Sequence, residues 1–344
     1  MANLSSTDGI VLLAKKSGLT SFSSLHSVKK ALGTTKVGHT GTLDSFAQGL
    51  LVVCTGRLTR LAGNITEFDK SYEAVIKFGE ESNTLEYTGK MLRTAPLPSL
   101  ENLTKALEKF KGKLLQAPPA FSAIHVNGKR ASDLAREGKA VELPPRPITV
   151  FDAKLTETKL TADGLVEYCK IDFTVSKGTY IRCLARDLAK EAGSAGHLIG
   201  LYRTKVGNFD IKDAAGFGEL GEFTIESAIR TAENQLQLSE ALSLDKQKKT
   251  YPEDSKLQEE IRKSIYNFDT ETAALCGFSS IKLKDSQAEK DYCNGKPLRS
   301  ALFTENLHEL APSASYAVFS QEGMFRGLIE KESGGRIRHR FVIN

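Results

Sequence analysis

One stretch constrains this chain more than any other: Lys36-Val37-Gly38-His39-Thr40-Gly41-Thr42-Leu43-Asp44-Ser45-Phe46-Ala47-Gln48-Gly49-Leu50-Leu51-Val52-Val53-Cys54-Thr55-Gly56. Its first half is built from small, turn-forming residues, and Gly38 and Gly41 let another backbone come close or take φ > 0. Its second half, Leu50 to Cys54, is an apolar run bounded by Gly49 and Gly56 and reads as a buried strand. Between the two stands one carboxylate, Asp44. A turn Asp ordinarily bonds its own backbone. An acid on a loop held still by a strand is also a common place for chemistry.

The totals set outer bounds. A chain of 344 residues accommodates two domains, and 40% hydrophobic residues fill a core. The net charge of +5, from 47 basic and 42 acidic residues, tolerates a polyanionic partner without demanding one. Cys54, Cys169, Cys183, Cys276 and Cys293 are scattered and never in C-x-x-C spacing. That argues against a zinc site or disulfide framework and fits a reducing cytosol. The polar opening Met1–Asp8 does not read as a signal peptide, and no run approaches the ~18 apolar residues of a membrane span. The expectation is a cytoplasmic protein without a membrane partner.

Along the chain, Gly9 to Leu13 reads as a strand. Thr20 or Ser21 then caps a helix with Phe22, Leu25, Val28 and Leu32 on its apolar face and Gly33 as its stop. Lys29 and Lys30 read as its solvated side. Tyr72, Ala74, Ile76 and Phe78 alternate with Glu73, Val75 and Lys77, a half-buried strand with Val75 on the outer face. Ser99 caps a helix burying Leu103, Ala106, Leu107 and Phe110 and ending at Gly112. After a stiff connector at 118–123, Ile124–Lys129 suggests a strand closed by an Asn127-Gly128 turn, and 130–138 a short basic helix. Leu165–Val175 is a strand, and Ile181, Leu184, Ala185 and Leu188 continue as a helix. Residues 223–268 look helical and charged, with Asp245–Lys249 an exposed connector. Tyr316–Ser320, Met324–Ile329 and Ile337–Val342 are short turn-linked strands that suggest a small β-barrel.

The wording of the central stretch, Gly38-His39-Thr40-Gly41-Thr42-Leu43-Asp44, then Gly49-Leu50-Leu51 and Gly56-Arg57-Leu58-Thr59-Arg60, resembles the active-site segment of the TruB family of tRNA pseudouridine synthases. Lys70-Ser71-Tyr72, Thr179-Tyr180-Ile181-Arg182 and Gly196-His197-Leu198-Ile199-Gly200-Leu201-Tyr202-Arg203 extend the resemblance. It implies that Asp44 is the catalytic aspartate, Arg182 its partner, and Tyr72, Tyr180 and Leu201 the pocket for the base. It also implies an α+β fold: a pseudouridine synthase-like mixed or antiparallel sheet flanked by helices, then a small C-terminal PUA-like β-barrel. The division expected is a catalytic domain over 1–220 with an RNA-gripping insert at about 120–150, a helical connector over 221–274, and the appendage over 275–344. The chain departs from the family pattern at Ala14 and Lys16, at Ser82-Asn83-Thr84-Leu85-Glu86, at His125 and at Ser132.

Pseudouridine formation breaks the N-glycosidic bond of a uridine, turns the uracil and rejoins it through carbon. No redox step occurs, so no cofactor or metal is expected. The chemistry asks for one ionised carboxylate, attacking or stabilising a cation-like sugar, and a dry pocket for a flipped nucleotide. Arg182 keeps Asp44 ionised and oriented, and Tyr72 or Tyr180 offers a stacking face. His39 either wedges into the RNA loop or bonds its own turn. No second acid is indicated near Asp44. Lys15, Lys16, Lys129, Arg130, Arg146, Lys177 and Arg203 would track phosphates if they share a face. The resemblance thus implies a tRNA T-loop uridine, position 55, as substrate, and a monomer that takes neither DNA nor membrane. A guide-RNA-dependent synthase and a non-catalytic tRNA chaperone are the alternatives, and whether Asp44 attacks the sugar C1′ or the base C6 stays open.

Overall fold

The computed structural model describes residues 7–126, 128–244 and 254–343. The expected connector Asp245–Lys249, and Asn127 of the expected turn, lie outside the described residues. Strand β1 (Ile10–Lys15) leads into α1 (Ser21–Leu32), where the Thr20 hydroxyl accepts from Ser23 N and Gly33 closes the helix at φ 62°. A short β2 (Val37–His39) and a long β3 (Gln48–Thr55) flank the loop that carries Asp44. After α2 (Ala62–Thr66) come β4 (Lys70–Phe78) and the hairpin of β5 (Glu80–Ser82) with β6 (Met91–Thr94). Ser99 caps α3 (Leu100–Glu108), which ends before the expected Gly112; that glycine instead opens β7 (Gly112–Gln116).

A small insert follows, with β8 (His125–Val126) paired to β9 (Lys129–Arg130) and then α4 (Ala131–Arg136). Strands β10 (Arg146–Leu160) and β11 (Val166–Val175), helix α5 (Ile181–Glu191), β12 (Gly196–Val206) and β13 (Phe209–Asp210) complete the first sheet. Its order is β1-β3-β12-β4-β11-β10-β7, with β2 on β3 and β13 on β12. Its pairings are antiparallel except β12 on β3, so the sheet is mixed, as expected. The parallel contact sets Arg203 opposite Gly49 and so joins two sequence-distant parts of the site.

Both faces of this sheet are covered. On one, Ala74, Ile76 and Phe78 pack with Leu103 and Leu107 of α3, Leu184 and Leu188 of α5, and Leu43 and Phe46 of the Asp44 loop. On the other, Leu12, Leu50 and Val52 pack with Ile225 and Ala228 of α6 (Ile225–Leu244). Val75 is fully buried there, which corrects its expected place on an outer face: the second layer that covers it comes from residues far along the chain. A third cluster joins Leu25 and Val28 to Ile261 of α7 (Ser255–Ser264). Phe22 does not take part. The buried face of α1 centres on Ser21, Ser24, Leu25, Val28 and Ala31, which turns Phe22 outward to 73% exposure.

After α8 (Thr270–Leu275) the chain builds a second sheet from β14 (Ser279–Lys282), β15 (Ala314–Phe319), β16 (Phe325–Lys331) and β17 (Ile337–Val342), with α9 (Ser286–Cys293) against it. The order is β14-β15-β16-β17, with β14 parallel to β15 and the rest antiparallel. The three expected C-terminal strands are present. Among the described residues the sheet is open, where a closed barrel was expected. Phe319, Phe325 and Leu328 join the apolar cluster of the first sheet, so the two sheets share one core. Among the described residues no helix is long and apolar enough to cross a membrane.

Candidate active site

The Asp44 loop is fastened along its length to the turn that precedes α1. Ser21 Oγ accepts from Leu43 N at 2.8 Å and donates to Leu43 O at 3.0 Å. Gly18 N donates to Ser45 O, and Ser17 Oγ to Phe46 O, each at 2.8 Å. Lys15 Nζ reaches the carbonyls of Lys16, Ser45 and Ala47. From the other side, Arg203 donates to Leu50 O at 2.8 Å and Gly41 O at 3.1 Å. Each of these contacts satisfies a loop carbonyl or amide that would otherwise lose water on burial. The result is a fixed platform for one carboxylate.

Lys15 and Arg203 are 1% and 2% exposed, which corrects their expected place among phosphate-tracking cations. They are internal clamps. Burial pulls the Lys15 amine down to about 7; the charge of Asp44 opposes that fall and Arg203 adds to it. Lys16 and Lys177 are paired with Glu219 and Glu67, while Lys129, Arg130 and Arg146 stand exposed on the insert and its flank.

Asp44 meets Arg182 in a two-pronged ion pair, Nε to Oδ2 at 2.9 Å and Nη2 to Oδ1 at 3.2 Å. Arg182 is the second residue of α5 and is buried; two further donors go to Thr84 O at 2.9 Å and Phe121 O at 3.0 Å. Asp44 keeps a third of its side-chain surface open, so the carboxylate is both held and reachable. Tyr180 sits just ahead of α5, its backbone gripped by Gln116 through Tyr180 N to Oε1 at 2.8 Å and Nε2 to Tyr180 O at 3.1 Å. Burial raises its phenol; Ser122 and then Arg182 act the other way. Tyr72 is half-buried on β4, between Phe173 and Arg203 in register. It packs on the same apolar cluster as Leu201, Leu43 and Phe46. His39 ends β2; its Nδ1 is sealed from solvent, and burial, then Arg203, depress its basicity.

One acid was missed. Glu86 lies close enough to Asp44 for the two charges to interact, which corrects the expectation of no second acid nearby. Burial, then Asp44, raises its carboxyl to about 7, while Arg182 and Thr88 restrain the rise. In the sequence, Ser82–Glu86 stands out only as a departure from the family pattern. Its position becomes clear when Tyr87 N bonds Leu198 O at 3.0 Å and so lays the segment along β12. Among the described residues no three His, Cys, Asp or Glu side chains group to hold a metal ion.

Comparison with known proteins bears on the family and the fold. Residues 29–181 match the family described as TruB family pseudouridylate synthase (N terminal domain). The chain is 45% identical to the tRNA pseudouridine synthase B of Treponema denticola, over 84% of each chain. It is 35% identical to that of Treponema pallidum, over 97% of each. Among solved structures, the fold is similar to that in a Cbf5-Nop10-Gar1 complex, with TM-score 0.63 and 20% identity over 98% of this chain and 85% of that one.

Proposed function

The chain belongs to the TruB family of pseudouridine synthases, and from that premise we propose that it isomerises a uridine of the tRNA T-loop, at position 55, with Asp44 as the catalytic carboxylate. The observation that carries the assignment is the two-pronged Asp44–Arg182 pair at 2.9 and 3.2 Å on a loop anchored from both sides. The relatives named tRNA pseudouridine synthase B support tRNA as the substrate and isomerisation as the reaction.

In this reading the target nucleotide leaves its stack and enters beside Asp44. Tyr72, Tyr180 and Leu201 take the base, and His39 fills its place in the RNA loop. Asp44 attacks the sugar C1′ or the base C6, the N-glycosidic bond breaks and the uracil turns; C5 then joins C1′, the bond to Asp44 breaks, the C5 proton leaves and N1 takes up a proton. Arg182 holds the carboxylate aimed throughout, because its planar fork fixes both carboxylate oxygens. The catalytic unit is residues 1–220, with 275–344 as an RNA-binding appendage joined by 221–274. Asp44, Arg182 and Tyr180 come from one chain, which supports action as a monomer. Five buried free cysteines support a cytoplasmic setting.

The test uses an unmodified tRNA transcript, purified protein, and carbodiimide labelling read by primer extension. Wild type gives a stop at the T-loop uridine, and Asp44→Asn binds the transcript without giving one. No stop with wild-type protein on bare transcript overturns the reading in favour of a guide-dependent enzyme or a chaperone.

A further inference from the structure

From Gly9 to Leu43 the sequence carries five lysines and not one Asp or Glu. Helix α1 lies in the middle of this acid-free segment. Its inner face is committed, with Leu25 and Val28 packed on Ile261 of α7. Its outer face presents Phe22, His26, Lys29 and Lys30, which a helix of 3.6 residues per turn gathers into an arc of about 100°. Phe22 is 73% exposed and belongs to none of the apolar clusters among the described residues. Lys29 Nζ stands 5.2 Å from its ring centroid. An exposed aromatic ring beside a cation, outside every apolar cluster, combines the two elements that single-stranded RNA binding uses: a stacking platform and charges for the backbone.

The position of α1 strengthens the case. Ser21, next to Phe22, bonds both the amide and the carbonyl of Leu43, the residue before Asp44. The start of α1 therefore lies beside the loop that carries Asp44. We propose that this stripe is a docking surface for the tRNA strand flanking the target uridine, with Phe22 stacking on an unpaired base and Lys29 and Lys30 neutralising adjacent phosphates. The proposal rests on the tRNA reading above.

The test measures equilibrium binding of the tRNA transcript to full-length protein over a range of salt, alongside pseudouridine formation by wild type. Phe22→Leu keeps the apolar bulk and removes the ring; binding is expected to weaken about five- to a hundred-fold, and Phe22→Tyr to restore it. Replacing Lys29 and Lys30 by Ala is expected to lower the slope of log K against log salt by about 1.4 to 1.8. Phe22 and Lys30 are exposed and Lys29 is half-buried, and a thermal melt of each variant checks that it folds as wild type does. Wild-type binding and slope in both variants overturn the stripe even if wild type makes pseudouridine. Weakened binding in the variants, with wild type unable to make pseudouridine, sinks the tRNA synthase reading and keeps the RNA surface.

Discussion

Asp44 and Arg182 are 138 positions apart and share two hydrogen bonds, yet neither depends on the other alone for its place. Arg182 is also anchored on Thr84 O and Phe121 O, and Asp44 on a loop that Ser21, Lys15 and Arg203 hold. The guanidinium thus ties four separate segments together at the point where a charge must be fixed. A planar fork does this and a point charge does not.

Arg182→Lys is therefore not a conservative change. Lysine keeps the charge and loses the two-pronged geometry and at least one carbonyl contact. The single-turnover rate should fall about a hundred-fold through misplacement of Asp44. Stability should drop by about 2 kcal/mol from the unpaired carbonyls. Rapid-quench kinetics and urea denaturation read the two effects. An unchanged rate would mean that charge alone is what Asp44 needs.

Glu86 gives a pH-dependent prediction. Its carboxyl titrates at about 7 in the folded protein against 4.5 when free. Between those values the folded state holds a proton that the unfolded state has released, so stability falls as pH rises through the window. Glu86→Gln lacks this term. Its stability relative to wild type should climb by up to about 3 kcal/mol from below pH 4.5 to above pH 7. Denaturation curves across that range provide the check; a difference that stays level with pH contradicts the raised carboxyl.

Much of this was legible from local pattern. Caps at Thr20 and Ser99, the stop at Gly33 and the runs of β1, β3, β15 and β16 depend on neighbours within a few residues, and the sequence displays them. The pairing of Asp44 with Arg182 spans 138 positions; only the resemblance of two motifs brought those residues together in advance. What packing decides was not legible. Val75 is buried because α6 and the second sheet cover it, and Phe22 is bare because α1 is rotated against α7. Lys15, Arg203 and Glu86 look like surface charges until the loops that enclose them are in place.

Gly49 is required by space as well as by conformation. It adopts φ +114°, and a Cβ there would lie 2.3 Å from Arg203 O and 2.6 Å from Arg203 N. The obstruction is backbone in the parallel β3–β12 contact and cannot swing aside. Gly49→Ala should cost more than about 2 kcal/mol. Gly38→Ala, with nothing within 4 Å of the added methyl, serves as its control in thermal melts. Equal melting of the two variants would show that the strands separate without loss.

Lys15 offers the last test, because it separates the shape of the loop from its affinity for RNA. Its amine is buried and contacts the carbonyls of Lys16, Ser45 and Ala47, the latter two within three residues of Asp44. Lys15→Met keeps the apolar stem and removes the three donors. Carbonyls left unpaired in a dry site cost about 1–3 kcal/mol, and the loop recovers part of that by shifting toward water. A loop that has shifted still binds tRNA through surfaces elsewhere, but it no longer presents Asp44 to the nucleotide in one geometry. The expected result is a single-turnover rate about ten- to a hundred-fold down with tRNA affinity nearly unchanged. Should affinity fall as far as the rate, Lys15 acts on the RNA directly, and its placement as an internal clamp would be wrong.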